Sequence, residues 1–194
     1  MEFFIGIDQS LFWFLNTTTA NSLLDKIMPF ITDRDNWFLL YIFLFFFFVL
    51  KLGKNGIVAA ILVILAVTLA DQITSSMLKP LFERLRPCHE LEGVRLLVGC
   101  GGKYGFPSSH AANFFAAATV FAVFFPRYKM LYLVIAFLVA YSRVYVGVHY
   151  PSDVIVGSLV GATGAFVLCK VYILIDPLVE KNIIQLFKRN KCEK

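Results

Sequence analysis

Three short polar clusters interrupt an otherwise apolar chain, and each holds residue types suited to handling an anion. In the first, Asp71, Ser75 and Lys79 recur every four residues, which places them on one helical face. Pro80 is expected to weaken or end that helix, and Arg86-Pro87 follows. The second, Phe106-Pro107-Ser108-Ser109-His110, puts proline and small hydroxyl residues ahead of an apolar run. That is a helix-start pattern, and the unpaired N–H groups of a helix start cradle anions. The third runs Ser142-Arg143, five residues, His149, three residues, Asp153, with Pro151 suited to the first turn of a helix. A carboxylate four residues beyond a histidine can reach back to one ring nitrogen and fix the tautomer.

Phosphoryl transfer is the chemistry that asks for this combination. A phosphomonoester near neutral pH carries close to two negative charges, so its transfer needs charge stabilisation and in-line positioning above all. Lys79, Arg86 and Arg143 supply the charge, the arginines with fixed fork geometry, and Ser108 with the first-turn N–H groups completes a cradle. Outside these clusters no group of Asp, Glu or His has metal-ligand spacing, so no metal and no cofactor are expected. The cysteines at 88, 100, 169 and 192 form no C-x-x-C pair, which argues against zinc.

The elements that position these clusters must be membrane helices. Of the 194 residues, 59% are hydrophobic and 16% charged, with a mean hydropathy of +0.74. A soluble domain of this length needs a more polar surface. Five apolar spans are predicted, at about 36–53, 56–78, 108–125, 128–148 and 152–175, and in lipid such runs must be helical. The fold class is therefore an all-α integral membrane helix bundle. Residues 1–35 read as two short amphipathic helices lying in the interface or packing on the bundle rim, with a sixth crossing left open. Residues 36–175 form the bundle and 176–194 a basic tail. The net charge of +5 sits at segment ends, a placement that suits membrane anchoring and not nucleic-acid binding. No basic region precedes an apolar core at the N-terminus, so no cleavable signal peptide is expected.

Connectivity brings the clusters together. Span two ends on the side where span three begins, span four ends on that side, and span five begins there. All three clusters thus reach one membrane face, joined by the long polar connection 82–106.

Lys79-x6-Arg86-Pro87, Pro107-Ser108-Ser109-His110 and Ser142-Arg143-x5-His149-x3-Asp153 together resemble the tripartite signature of the type 2 phosphatidic acid phosphatase (PAP2) superfamily. The resemblance covers roughly 36–175. One position departs, since Ser109 stands where the family usually has glycine; a serine at a helix start still offers its backbone N–H to phosphate. The resemblance implies a phosphohistidine intermediate. In that reading neutral His149 is the nucleophile, Asp153 orients it, and His110 protonates the leaving alkoxide before helping to activate water. Lys79, Arg86, Ser108, Ser109 and Arg143 bind phosphate.

Charge orients the bundle. Lys51, Lys54, Arg127, Lys129 and the basic tail lie on the face opposite the site, which makes that face cytoplasmic and the site extracytoplasmic; the resemblance to bacterial members of the family implies a bacterial inner membrane. Cys88 and Cys100 then share a loop in an oxidising compartment and are expected to form a disulfide. Cys169 and Cys192 are not expected to pair. The expected substrate is an amphiphile with its phosphate at headgroup depth. Family resemblance offers lipid A phosphate, undecaprenyl diphosphate and phosphatidylglycerol phosphate, with a lean to lipid A 1-phosphate. Two readings compete with this one. Vanadate haloperoxidases share the motif set but are soluble, and a phosphate-lipid transporter would place its site near the midplane between repeated halves, of which there is no sign. Oligomeric state is left open.

Overall fold

The computed structural model describes residues 2–176, and all the regular structure there is helical. α1 (Glu2–Trp13) runs into a π-helical turn at Phe14–Thr18. α2 (Leu24–Thr32) and a 3-10 turn, Arg34–Trp37, lead into α3 (Phe38–Lys51). α4 (Gly53–Asp71), the π-helical stretch Gln72–Leu78 and α5 (Lys79–Phe82) form one long rod. The short α6 (Pro87–Glu90) lies in the polar connection; α7 (Ser109–Phe124), α8 (Lys129–Tyr145) and α9 (Pro151–Ile175) complete the bundle. Three helices, Gly53–Phe82, Pro126–Tyr145 and Pro151–Ile175, are long and apolar enough to cross a membrane, and Ser109–Phe124 is a shorter apolar helix. The expected basic tail lies outside the described residues, apart from Asp176.

α7 is central, packing on α9, α4 and α8. The core between α4, α7 and α9 is rich in small residues: Ala59, Ala66, Ala70, Ala112, Ala116, Ala165 and Cys169 are buried there together with Leu62, Val120 and Phe124. Large side chains point outward instead, among them Phe43, Phe46, Leu159 and Leu174. This inverts a soluble protein, and it follows from the solvent. Lipid tails are as apolar as leucine, so helices associate through close packing of small residues. Gly157 and Gly161 take that furthest. A Cβ on Gly157 would overlap the Ser108 carbonyl, and one on Gly161 would overlap the carbonyl of Ala112.

Two details of the long rod differ from expectation. Pro80 does not end the helix, which continues to Phe82 and stops where Glu83 adopts a left-handed conformation at φ 48°. The turn before Pro80 is π-helical and already lacks the i→i−4 bond that a proline removes. The wider π turn also replaces the simple α-helical face expected for Asp71, Ser75 and Lys79. Ser75 Oγ still reaches Asp71 Oδ1 at 3.4 Å.

The N-terminal segment packs deeply. Phe12 and Asn16 are fully buried. The Asn16 amide donates to the Tyr145 carbonyl (2.8 Å) and the Arg95 carbonyl (2.9 Å), while its Oδ1 accepts from the Arg95 N–H (3.0 Å). Arg95 also pairs with Asp25, in α2's first turn. Residues 82–106 are thereby laced to both N-terminal helices. Within that connection Cys88 and Cys100 are joined by a disulfide, and Leu85 bridges Tyr104. Cys169 is a free, buried thiol.

Gly161→Ala is expected to cost about 1–3 kcal/mol through overpacking, read as a lower thermal midpoint in detergent; an unchanged midpoint contradicts the close packing. Thiol titration of the denatured protein before and after reduction should show the gain of the Cys88–Cys100 pair.

Candidate active site

The N-terminal ends of α7 and α9 meet at the Ser108–Asp153 contact. Ser108, the N-cap of α7, donates its backbone N–H to the Asp153 carbonyl at 2.9 Å. Its hydroxyl faces the Ala111 N–H at 3.5 Å, so the remaining first-turn donors are the N–H groups of Ser109 and His110. The phosphate cradle expected of this segment thus falls to those two N–H groups, because that of Ser108 is committed to α9.

His149 sits in the turn between α8 and α9 and is 1% exposed. The Asp153 carboxylate folds back through a capping box, accepting from the Tyr150 N–H at 2.9 Å with the same Oδ2 that lies 3.3 Å from His149 Nδ1. On the other side of the ring, Arg86 Nη1 lies 3.1 Å from Nε2. A guanidinium only donates, so Nε2 presents a lone pair and Nδ1 carries the proton toward Asp153. Burial, reinforced by the charges of Arg143, Arg86 and Lys79, holds the imidazole well below its ordinary pKa. A neutral ring with its free nitrogen facing a cation can act as a nucleophile toward an anionic substrate.

The cations arrive from three elements. Arg86 is fixed by bonds from Nε to the Gly102 carbonyl (2.7 Å) and from Nη1 to the Val148 carbonyl (3.3 Å). Lys79 Nζ donates to Ser109 Oγ at 2.8 Å. Ser109 Oγ also lies 2.9 Å from the hydroxyls of Thr74 and Ser75 in the π-helical stretch. The serine that departs from the family pattern therefore ties the lysine and the long rod to the start of α7. Arg143 is buried, gives Nη1 to Thr32 Oγ1 at 2.7 Å, and keeps Nε without a partner among the described residues.

His110 and Arg143 open onto a cavity of about 560 Å³, whose other walls include Pro29, Phe30, Thr32, Asp33, Arg34, Asn36, Val98 and Gly99. All eight expected site residues, Lys79, Arg86, Ser108, Ser109, His110, Arg143, His149 and Asp153, thus belong to one connected arrangement. Thr32, Asp8 and Arg84 were not read from the sequence as part of it. Arg84 binds Asp153 Oδ1 at 3.0 Å and Asp8 Oδ2 at 2.6 Å. Its position two residues before Arg86 was the available signal, whereas Asp8 and Thr32 act across gaps that no local pattern reveals. Among the described residues the one group of potential metal ligands is Cys88, His89 and Cys100. Its two sulfurs are bonded to each other, and a ligating cysteine must be a thiolate.

The PAP2 superfamily profile matches residues 59–174. The lipid A 4'-phosphatase of Porphyromonas gingivalis is 36% identical over 180 residues, covering 89% of this chain and 76% of that protein. The lipid A 4'-phosphatase of Bacteroides thetaiotaomicron is 32% identical over 174 residues, covering 86% and 77%. Among solved structures, the crystal structure of Aquifex aeolicus LpxE aligns with a TM-score of 0.71 and 31% identity over 84% of this chain and 95% of that one. With the motif residues gathered around one buried imidazole, the conclusion is that this chain belongs to the PAP2 superfamily and is a membrane-embedded phosphatase.

Proposed function

We propose that the protein removes a phosphate from lipid A at the outer face of the cytoplasmic membrane, without a metal, through a phosphohistidine at His149. The observation that carries the mechanism is the His149 ring, held on one side by Asp153 and on the other by Arg86. Nε2 attacks phosphorus as Arg86 turns its donors from the ring to the phosphate oxygens. Arg143, Lys79 and the N–H groups of Ser109 and His110 take up the remaining charge. The phosphorus–oxygen bond to the lipid breaks, and His110 delivers a proton to the departing oxygen. Charge that develops on the His149 ring is balanced through Nδ1–H by Asp153. Water then attacks the phosphohistidine, giving its proton to His110, and inorganic phosphate leaves.

The coarse substrate class, a membrane lipid phosphate, is that of the family relatives. Within it, lipid A is supported by both lipid A 4'-phosphatases, each matched over more than three quarters of its length. They also favour the 4'-phosphate over the 1-phosphate suggested by the sequence. The cavity agrees in kind: the leaving group must lie beside His110, where Asp33, Arg34 and Asn36 provide a polar wall suited to a sugar head group.

The orientation rests on charge. Lys54 and Asp176 pair at 2.8 Å at the end of the bundle opposite the site, the end that also carries Lys51, Arg127 and Lys129. The disulfide beside the site suits an oxidising compartment. Five crossings require α3 and α7 to span with 14 and 16 residues, roughly 1.5 Å of rise each. The 3-10 turn before α3 and the loop before α7 extend their reach. Residues 2–35 remain on the site side, where Pro29, Phe30, Thr32, Asp33 and Arg34 line the cavity.

The test is phosphate release from lipid A labelled at the 4'- or 1-position, beside undecaprenyl diphosphate and phosphatidylglycerol phosphate. The 4'-phosphate should be hydrolysed fastest, and His149→Ala should lower the rate by at least about 10³-fold. Turnover by that variant near the wild-type rate overturns the nucleophile, and preference for undecaprenyl diphosphate overturns the substrate.

A further inference from the structure

Asp153 has two oxygens, and the mechanism above uses one. Oδ2 serves His149 and the Tyr150 N–H. Oδ1 is held at 3.0 Å by Arg84 Nη1, and Asp153 is fully buried. Arg84 does not stand alone. Its Nη2 donates to Asp8 Oδ2 at 2.6 Å, its Nη1 also reaches Ser152 Oγ at 2.6 Å, and its guanidinium lies 4.2 Å over the Tyr150 ring. Asp8, on α1, closes the circuit by accepting the Ser152 N–H at 2.9 Å and the Ser152 hydroxyl. Four residues from three parts of the chain thus converge on the far side of the carboxylate that orients His149.

We propose that Arg84 and Asp8 are positioning residues for the reaction, acting through Asp153 and not through the substrate. The geometry assigns each a separate task. Arg84 fixes the plane of the Asp153 carboxylate, so that Oδ2 stays directed at His149 Nδ1 once Arg86 has moved to the phosphate. A guanidinium this close would by itself cancel the negative charge that the phosphohistidine needs across its ring. Asp8 restores it, since two carboxylates and one guanidinium leave one net negative charge facing the imidazole. The same contacts join α1 to the first turn of α9, so the N-terminal helix takes part in catalysis without touching substrate.

This rests on His149 as nucleophile, and the two readings fail separately. The experiment measures kcat and KM with lipid A carrying the 4'-phosphate in mixed micelles for Arg84→Met, Arg84→Lys and Asp8→Asn, in the wild type and in an Asp153→Asn background. Thermal midpoints are measured in parallel, and His149→Ala serves as control. In the wild type, Arg84→Met should lower kcat about 10–100-fold with KM nearly unchanged, the pattern of an interaction made only in the transition state. Arg84→Lys should recover most of that loss. In the Asp153→Asn background the same substitution should change kcat less than about twofold, because the residue through which it acts has already been altered. An equal loss in both backgrounds, or a rise in KM at constant kcat, overturns the proposal. If Arg84→Met does not fold, the isosteric Asp8→Asn carries the same cycle with the same criteria. Retained turnover in His149→Ala overturns the phosphohistidine reading instead.

Discussion

The backbone contact between α7 and α9 sets the conditions for everything else in this structure. The two helices approach until the Gly157 and Gly161 positions leave no room for a Cβ beside the carbonyls of Ser108 and Ala112. Only at that separation can the Ser108 N–H reach the Asp153 carbonyl. The contact places the start of α7, with Ser109 and His110, against the start of α9, where His149 and Asp153 stand. Lys79 depends on it at one remove, being tied to α7 through Ser109. A bilayer offers no hydrophobic reward for bringing helices together, so the approach has to come from small residues and complementary shape.

A second constraint is the concentration of positive charge. Lys79, Arg86 and Arg143 all act on His149, and each is held by neutral oxygens: a serine hydroxyl, two backbone carbonyls and a threonine hydroxyl respectively. Carboxylates in those places would hold the cations equally well and would compete with a phosphate for them. Two of the nearby carboxylates, Asp153 and Asp8, instead face Arg84 on the other side of His149. Holding the three cations on neutral oxygens keeps them available to an anion while the imidazole still has a counter-charge behind it.

The residues proposed to do the chemistry were legible because their types are rare in an apolar chain and their spacing survives folding. His149 and Asp153 lie four apart, the interval at which the carboxylate that caps the Tyr150 N–H also reaches the imidazole. Convergence of the clusters was legible too, since helix ends joined by one loop share a side of the membrane. What escaped was long-range or locally irregular. Arg84 looked like one more charge in a charged loop, and its partner Asp8 lies 76 residues away in sequence. The π-helical stretch before Lys79 has no periodic signature, so Pro80 was expected to weaken or end a helix whose preceding turn had already given up the bond a proline removes. The N-terminal helices showed a plausible amphipathic face, but the buried amide of Asn16, which docks them, is a single polar residue among many.

The cavity wall formed by residues 29–36 has a consequence for where the family boundary is drawn. The matched region begins at residue 59, and every motif residue lies inside it. Yet Thr32, which steadies Arg143, Asp8, which faces Arg84, and one whole side of the cavity lie before it. The matched part of the sequence therefore holds the motif residues, and the preceding segment frames the cavity onto which His110 and Arg143 open. Chains with identical motifs but different leading helices could diverge in what they accept while the chemistry stays the same, and a segment exchange upstream of residue 59 would be the economical route to a new specificity.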